Sequence, residues 1–336
     1  VPSHSRWYNY NSRDAATEGD LRVVIDDEGD FDKSPYTILD PFKQAPKNED
    51  APQPTCELPI HTKIRVFDLN YHRMLETRSE NLSLYEYQPQ LMDKLILPKT
   101  TIGLINLLMS AMASGDSKKQ ADLVRGKSGG LIVIASGMPG TGKTLSAEVY
   151  SEVVKRPLYT VQCSQLGLSP TELEESLQKI LQRAVRYKAV LLLDEADVYI
   201  RERGDDLQHN AMVGVFLRLL EYFNGMLFMT TNRAMIIDDA IESRSIAHLK
   251  YVYPTQDDAL RIWAIMSIHY EVKVQPDVLK ALAAKYNLSG RSIKNACRLA
   301  KYMLKEEPLT EAVVASILEF QNRTSGEEGP RLKLPK

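Results

Sequence analysis

Gly137-Met138-Pro139-Gly140-Thr141-Gly142-Lys143-Thr144 decides how this chain is read. The run fits G-x-x-x-x-G-K-[ST], a loop whose glycines let backbone N–H groups turn inward on a polyphosphate. Apolar Leu131-Ile132-Val133-Ile134-Ala135 precedes it and reads as a buried strand, and a helical stretch from Lys143 to Val154 follows it. Strand, glycine loop and helix are the setting such a loop needs, because the helix N-terminus adds partial positive charge to the anion site. Gly137, Pro139, Gly140, Thr141, Gly142, Lys143, Thr144 and Leu145 are therefore the expected nucleotide-binding stretch. Lys143 is expected against the β- and γ-phosphates, and the Thr144 hydroxyl on Mg²⁺.

A second apolar run, Ala189-Val190-Leu191-Leu192-Leu193, ends in Asp194-Glu195. A strand buried on both faces belongs in the middle of a parallel sheet, and ligands bind at the C-terminal edge of such sheets. Asp194 is placed to serve the Mg²⁺ shell, and Glu195 to orient and deprotonate an attacking water. Thr230-Thr231-Asn232-Arg233 closes a later strand, and a polar residue there would emerge between the two motif strands. Asn232 could then reach the water or the γ-phosphate; strand-end turn chemistry is the competing account. Arg244 follows the short helical run Ile237–Ser243, and an always-charged guanidinium forks onto phosphate oxygens. Arg291 opens a helix, where the dipole disfavours a cation, so its placement points to an anionic partner. A surface ion pair for Arg244 and a solvated side chain for Arg291 are the alternatives.

The 336 residues suffice for two domains, and 43% hydrophobic with 26% charged content is ordinary for a globular protein. Residues 1–60 carry 6 basic and 12 acidic side chains while the remainder is slightly basic, which gives no nucleic-acid footprint. The 3 cysteines, Cys56, Cys163 and Cys297, are widely spaced and odd in number. That argues against a disulfide framework or zinc site and for a reducing, cytoplasmic setting. No apolar run approaches the ~20 residues of a membrane span. No signal peptide is visible, and because the chain begins at Val1 an N-terminal segment removed earlier stays open.

Along the chain, residues 1–60 are acidic, proline-dotted and expected to be partly irregular, with Leu21–Ile25 as a short strand. Residues 61–115 read as accessory strands, Lys63–Val66 and Leu82–Tyr87, and then an amphipathic linker helix carrying Ile102, Ile105, Leu108, Met109 and Met112. Residues 116–254 alternate strand and helix, which predicts an α/β fold with a doubly wound parallel sheet. Residues 255–321 are helical throughout, and 322–336 form a polar tail.

In this order the signals resemble the AAA+ ATPases, specifically the AAA branch, over about residues 95–320. Gly137–Thr144 is similar to Walker A, Leu191–Glu195 to Walker B, Asn232 to sensor 1, Arg244 to the arginine finger and Arg291 to sensor 2. The resemblance implies ATP with Mg²⁺ bound between the core and a helical lid. It also implies a homo-oligomeric ring, expected as a hexamer, in which Arg244 reaches a neighbour's γ-phosphate. Such a ring remodels a protein client; a nucleic-acid machine of clamp-loader or helicase-loader type is the alternative, and a nucleotide switch a third. The single Ser243-Arg244 departs from the usual two arginines. That pairing is similar to the clamp-loader style or to the mitochondrial AAA translocase of a folded iron–sulfur protein, and Arg156-Pro157-Leu158-Tyr159 with Leu193–Val198 resembles a cytosolic, fungal-like and bacterial group near that translocase. The expected pore segment, Cys163–Pro170, has no aromatic, which leaves Leu166 and Leu168 as the residues to grip a peptide, and the second segment, Tyr199–Asp206, is charged.

Overall fold

A computed structural model describes residues 7–11, 20–26, 63–78, 81–98, 101–107, 130–167, 169–232, 237–304 and 307–325. The chain divides into two compact units, Val1–Tyr85 and Glu86–Lys336.

The first unit is an antiparallel sheet of β1 (Trp7–Asn11), β2 (Asp20–Ile25), β3 (Lys63–Asp68), β4 (Arg73–Arg78) and β5 (Leu82–Leu84), in the order β4-β3-β2-β1-β5. Val23, Ile25 and Val66 form its core, with Ile64, Leu75 and Leu82 packed against them. The boundary expected at residue 60 runs through this sheet, since β1 and β2 pair with β5 and β3 respectively. Two strands, β1 and β4, were not expected. β4 hides because its inward positions are Leu75 and the buried Thr77, set among exposed charges. Its Glu76 lies opposite Arg65 and forms an ion pair with it at 3.5 Å, a cross-strand pairing that the one-dimensional pattern does not display. The β3–β4 turn is closed by Asp68, whose Oδ1 accepts from the N–H groups of Asn70 (2.9 Å) and Tyr71 (3.2 Å).

The second unit carries the parallel sheet. Its strands are β6 (Leu131–Gly137), β7 (Leu158–Gln162), β8 (Val190–Asp194), β9 (Met226–Thr231) and β10 (Ala247–Tyr251), in the order β10-β6-β9-β8-β7. Residues Val190–Leu193 and Met226–Met229 are fully buried, which is why these strands read as unbroken apolar runs. The helices are α1 (residues 101–107), α2 (Lys143–Val154), α3 (Pro170–Arg186), α4 (Asp197–Ile200), α5 (Leu207–Glu221) and α6 (Asp239–Glu242). A capping box between Ser169 and Glu172 starts α3, one residue ahead of the expected Thr171. This is the α/β fold, a parallel sheet with accompanying helices, that the sequence predicts.

Four helices complete this unit: α7 (Gln256–His269), α8 (Pro276–Lys285), α9 (Gly290–Leu304) and α10 (Glu311–Ser325). They enclose their own core around Trp263, Leu282, Ile293, Ala300 and Val314. Thr255 caps α7 by accepting from the Asp258 N–H at 3.2 Å. The last helix runs to Ser325, past the expected end near residue 321, and most of the expected tail lies outside the described residues. So does the linker Gly115–Gly130, apart from Gly130 itself. No helix among the described residues is long and apolar enough to cross a membrane.

Candidate functional site: a phosphate loop beside two carboxylates

β9 lies between β6 and β8, so the ends of the three strands stand side by side. The loop after β6 turns through Gly140 (φ 75°) and Gly142 (φ 103°), both in a region favouring glycine. A Cβ on Gly142 would meet nothing within 4 Å, so the loop there faces open space at the N-terminus of α2. A Cβ on Gly140 would lie 2.7 Å from Arg291 Cβ and 2.8 Å from Ser289 Oγ. Gly140 therefore allows the start of α9 to approach the loop, and the Arg291 N–H donates to the Gly140 carbonyl at 3.2 Å.

Lys143 is buried, and its ammonium donates to the carbonyls of Gly137 and Met138, both at 2.8 Å. Burial pulls its pKa below the ordinary lysine value; Asp194 opposes the shift and Arg291 adds to it. Thr144 Oγ1 donates to Asp194 Oδ1 at 3.1 Å. The same carboxylate oxygen accepts a short hydrogen bond from Thr230 Oγ1. Glu195 follows in the left-handed region (φ 56°), which strains any residue with a side chain, and its N–H donates to Thr230 Oγ1 at 3.1 Å. The Ala196 N–H donates to the Thr230 carbonyl at 2.8 Å. Asn232 Nδ2 lies 3.5 Å from Glu195 Oε1.

One cleft of about 440 Å³ is lined by Gly140, Thr141, Gly142, Lys143, Thr144 and Leu145 along with Asp194, Glu195, Asn232 and Arg291. Gly137 and Pro139 are not among its lining residues; Gly137 contributes its carbonyl to Lys143 instead. Arg244 is absent from the lining too; it is exposed, and its Nη1 donates to the Ala240 carbonyl at 2.9 Å.

Sequence reasoning missed two parts of this site. One is Thr230, whose hydroxyl touches both carboxylate residues; only its place at the start of the polar run marked it. The other is a largely apolar part of the lining, built from Leu95–Pro98, Val252 and Tyr253, and Ile262 and Met266 of α7. Leu95-Ile96-Leu97 is a short apolar run ahead of Pro98, and that was its signal.

The pore segment is corrected. Leu166 is fully buried below the 3-10 helix Cys163–Gln165 and cannot grip a peptide, and Leu168 lies outside the described residues. Tyr199 is buried as well, its hydroxyl donating to the carbonyls of Cys163 (3.3 Å) and Gly167 (3.1 Å). Burial, reinforced by Asp194, Asp197 and Glu195, pushes the Cys163 thiol up to about 12, so it stays protonated beside the site.

Residues 133–251 match the model of the ATPase family associated with various cellular activities (AAA). An uncharacterized AAA family ATPase, y4kL of Sinorhizobium fredii, is 29% identical over 190 residues, covering 54% of this chain and 53% of that protein. The ATP-dependent zinc metalloprotease FtsH 3 of Sphaerobacter thermophilus is 28% identical, covering 57% of this chain and 41% of its own length. A human katanin p60 ATPase of the A-like 1 type is also 28% identical, covering 51% of this chain and 38% of its own length. The chain thus spans about half, or less, of the curated relatives it matches. Among solved structures, a chain of the E. coli MS115-1 HORMA:CdnC:Trip13 complex shares the fold, with TM-score 0.51 and 16% identity over 74% of this chain and 94% of that one.

Proposed function

We propose that the chain binds ATP with Mg²⁺ in this cleft and hydrolyses it, as a ring-forming remodeller of a protein client. The observation that carries the reading is Glu195, poised at the end of β8 with its amide on Thr230 and its carboxylate near Asn232, beside the Lys143–Thr144 loop. The donor set fits a polyphosphate. Two of the three N–H bonds of Lys143 go to loop carbonyls, so one remains for a phosphate oxygen, whose charge would relieve the penalty of burying the ammonium. Arg291 adds a second cation from α9. Thr144 and Asp194 would hold Mg²⁺, which supplies positive charge to the phosphate oxygens. Glu195 takes the proton from the attacking water, and Asn232 keeps the carboxylate turned toward it.

Ring formation is supported by Arg244, an exposed cation that stands outside its own chain's cleft. A protein client is supported by the company of the fold neighbour, which was solved with HORMA and CdnC. The single Ser243-Arg244 supports a place near the translocase-related group, and the free, buried Cys163 and Cys297 fit a cytoplasmic setting.

Calorimetric titration of Lys143→Ala with ATP tests the site. Affinity is expected to fall on the order of 10²-fold, the scale of a lost charge-assisted hydrogen bond in a desolvated pocket. Parental affinity in the folded variant would contradict the loop assignment.

Thr230→Val keeps the side-chain shape and removes the hydroxyl, which leaves the Glu195 N–H unpaired. Turnover is expected to drop about tenfold with KM for ATP nearly unchanged, whereas Thr230→Ser should retain most of it. A Val variant as fast as the parent would show that the hydroxyl does not position Glu195.

A further inference from the structure

Ser136, His248 and Glu242 form a hydrogen-bonded chain of side chains that the proposed reaction does not use. Ser136 Oγ lies 2.8 Å from His248 Nε2, and His248 Nδ1 lies 3.2 Å from Glu242 Oε1. An ionised carboxylate only accepts, so Nδ1 carries the proton and donates to Glu242. Nε2 pairs with the Ser136 hydroxyl, accepting from it when the ring is neutral and donating to it when the ring is charged. The strand ladder builds this contact: His248 pairs with Ile134 and Lys250 with Ser136, so His248 and Ser136 share one face of neighbouring strands. None of the three residues lines the nucleotide cleft.

The chain joins two segments that matter separately. Ser136 is the last residue of β6 before Gly137 and the phosphate loop. Glu242 ends α6, two residues before Arg244. The N–H groups of Ser243, Arg244 and Ser245 all bond back to α6 carbonyls, so the turn bearing Arg244 is held by that short helix on one side, while on the other the Ile246 N–H donates to the Ile132 carbonyl of β6 at 2.8 Å. Asp238, which caps α6, is itself clamped by Arg203 Nε at 2.7 Å. A Ser-His-Glu nucleophile is not the better reading: Ser136 sits inside a ladder, opposite Thr231 on one side and Lys250 on the other, rather than on the sharp turn that exposes a nucleophile.

We propose that His248 is a positioning residue, a strut that fixes the Arg244-bearing turn to the strand end carrying the phosphate loop. The inference rests on the reading of Arg244 as the group that completes a neighbour's site. ATP turnover by His248→Phe is expected to fall about 5–10-fold with KM for ATP held within about twofold, the scale of one or two lost hydrogen bonds. His248→Gln, which keeps one donor and one acceptor, should retain most of the turnover. In an Arg244→Ala background, His248→Phe should change nothing further, because both act through one group. Glu242→Ala lies at an exposed position and guards against a folding artefact in the Phe variant. It should lose about three- to fivefold with an unchanged melting temperature.

Parental turnover in folded His248→Phe, or in Glu242→Ala, alongside a crippled Arg244→Ala, overturns the strut. A further several-fold loss in the Arg244→Ala background also overturns it, since His248 would then act elsewhere. Arg244→Ala at parental turnover is a different failure: it removes the reading of Arg244 on which the strut depends.

Discussion

Glu195→Gln protein is expected to bind ATP as tightly as the parent and to turn it over ~10²–10⁴-fold more slowly. The substitution removes basicity and little else. Glutamine has the same reach, and its carbonyl oxygen can still accept from Asn232 Nδ2. The backbone at this position sits at φ 56°, and glutamine is strained there as much as glutamate, so the turn should keep its shape. Lys143, Thr144 and Arg291 are untouched, so ground-state binding should persist. Phosphate release under saturating ATP and a direct nucleotide titration separate the two quantities. A Gln variant with parental turnover would remove Glu195 as the base, whatever happened to binding.

The parallel sheet was legible because its central strands are buried on both faces. Val190–Leu193 and Met226–Met229 leave no polar position to confuse the reading, and their bounds fell within a residue or two of expectation. The expectation that Asn232 emerges between the two motif strands agrees with the strand order, in which β9 lies between β6 and β8. What stayed hidden depends on atoms brought together from afar. The bond from Thr230 to Asp194 joins residues 36 positions apart, and Glu195, whose N–H bonds to the same Thr230 hydroxyl, adopts a positive φ that the sequence does not display. The lining at Leu95–Pro98 reaches the cleft because the 3-10 helix Pro89–Lys94 packs along α2, where the Gln88 N–H donates to Glu152 Oε2 at 2.9 Å. Nothing in a short apolar run announces such a partner. The N-terminal sheet was harder still. Half-polar antiparallel strands such as β4 carry their signal in cross-strand pairs like Arg65 and Glu76, which exist only once the register is known.

Arg244→Ala is expected to lose ~10³-fold or more in turnover while binding ATP normally, if the guanidinium stabilises charge on the transferred phosphoryl group. The argument begins from placement. Arg244 follows α6, it is exposed, and its guanidinium bonds back to the Ala240 carbonyl. On the proposed reading, a head-to-tail contact between copies would bring one chain's Arg244 to the next chain's cleft, and a repeated contact of that kind would close into a ring. The decisive measurement is therefore a mixture. Arg244→Ala protomers keep Glu195, and Glu195→Gln protomers keep Arg244. At equal amounts and random order, roughly a quarter of the interfaces pair an intact base with an intact arginine, and activity should return to about that share of the parent's. Each variant alone stays inactive, so the restored turnover has no other source. Assembled mixtures that remain dead would mean that the two residues do not meet across a boundary between protomers, and the case for a shared site would fall with them.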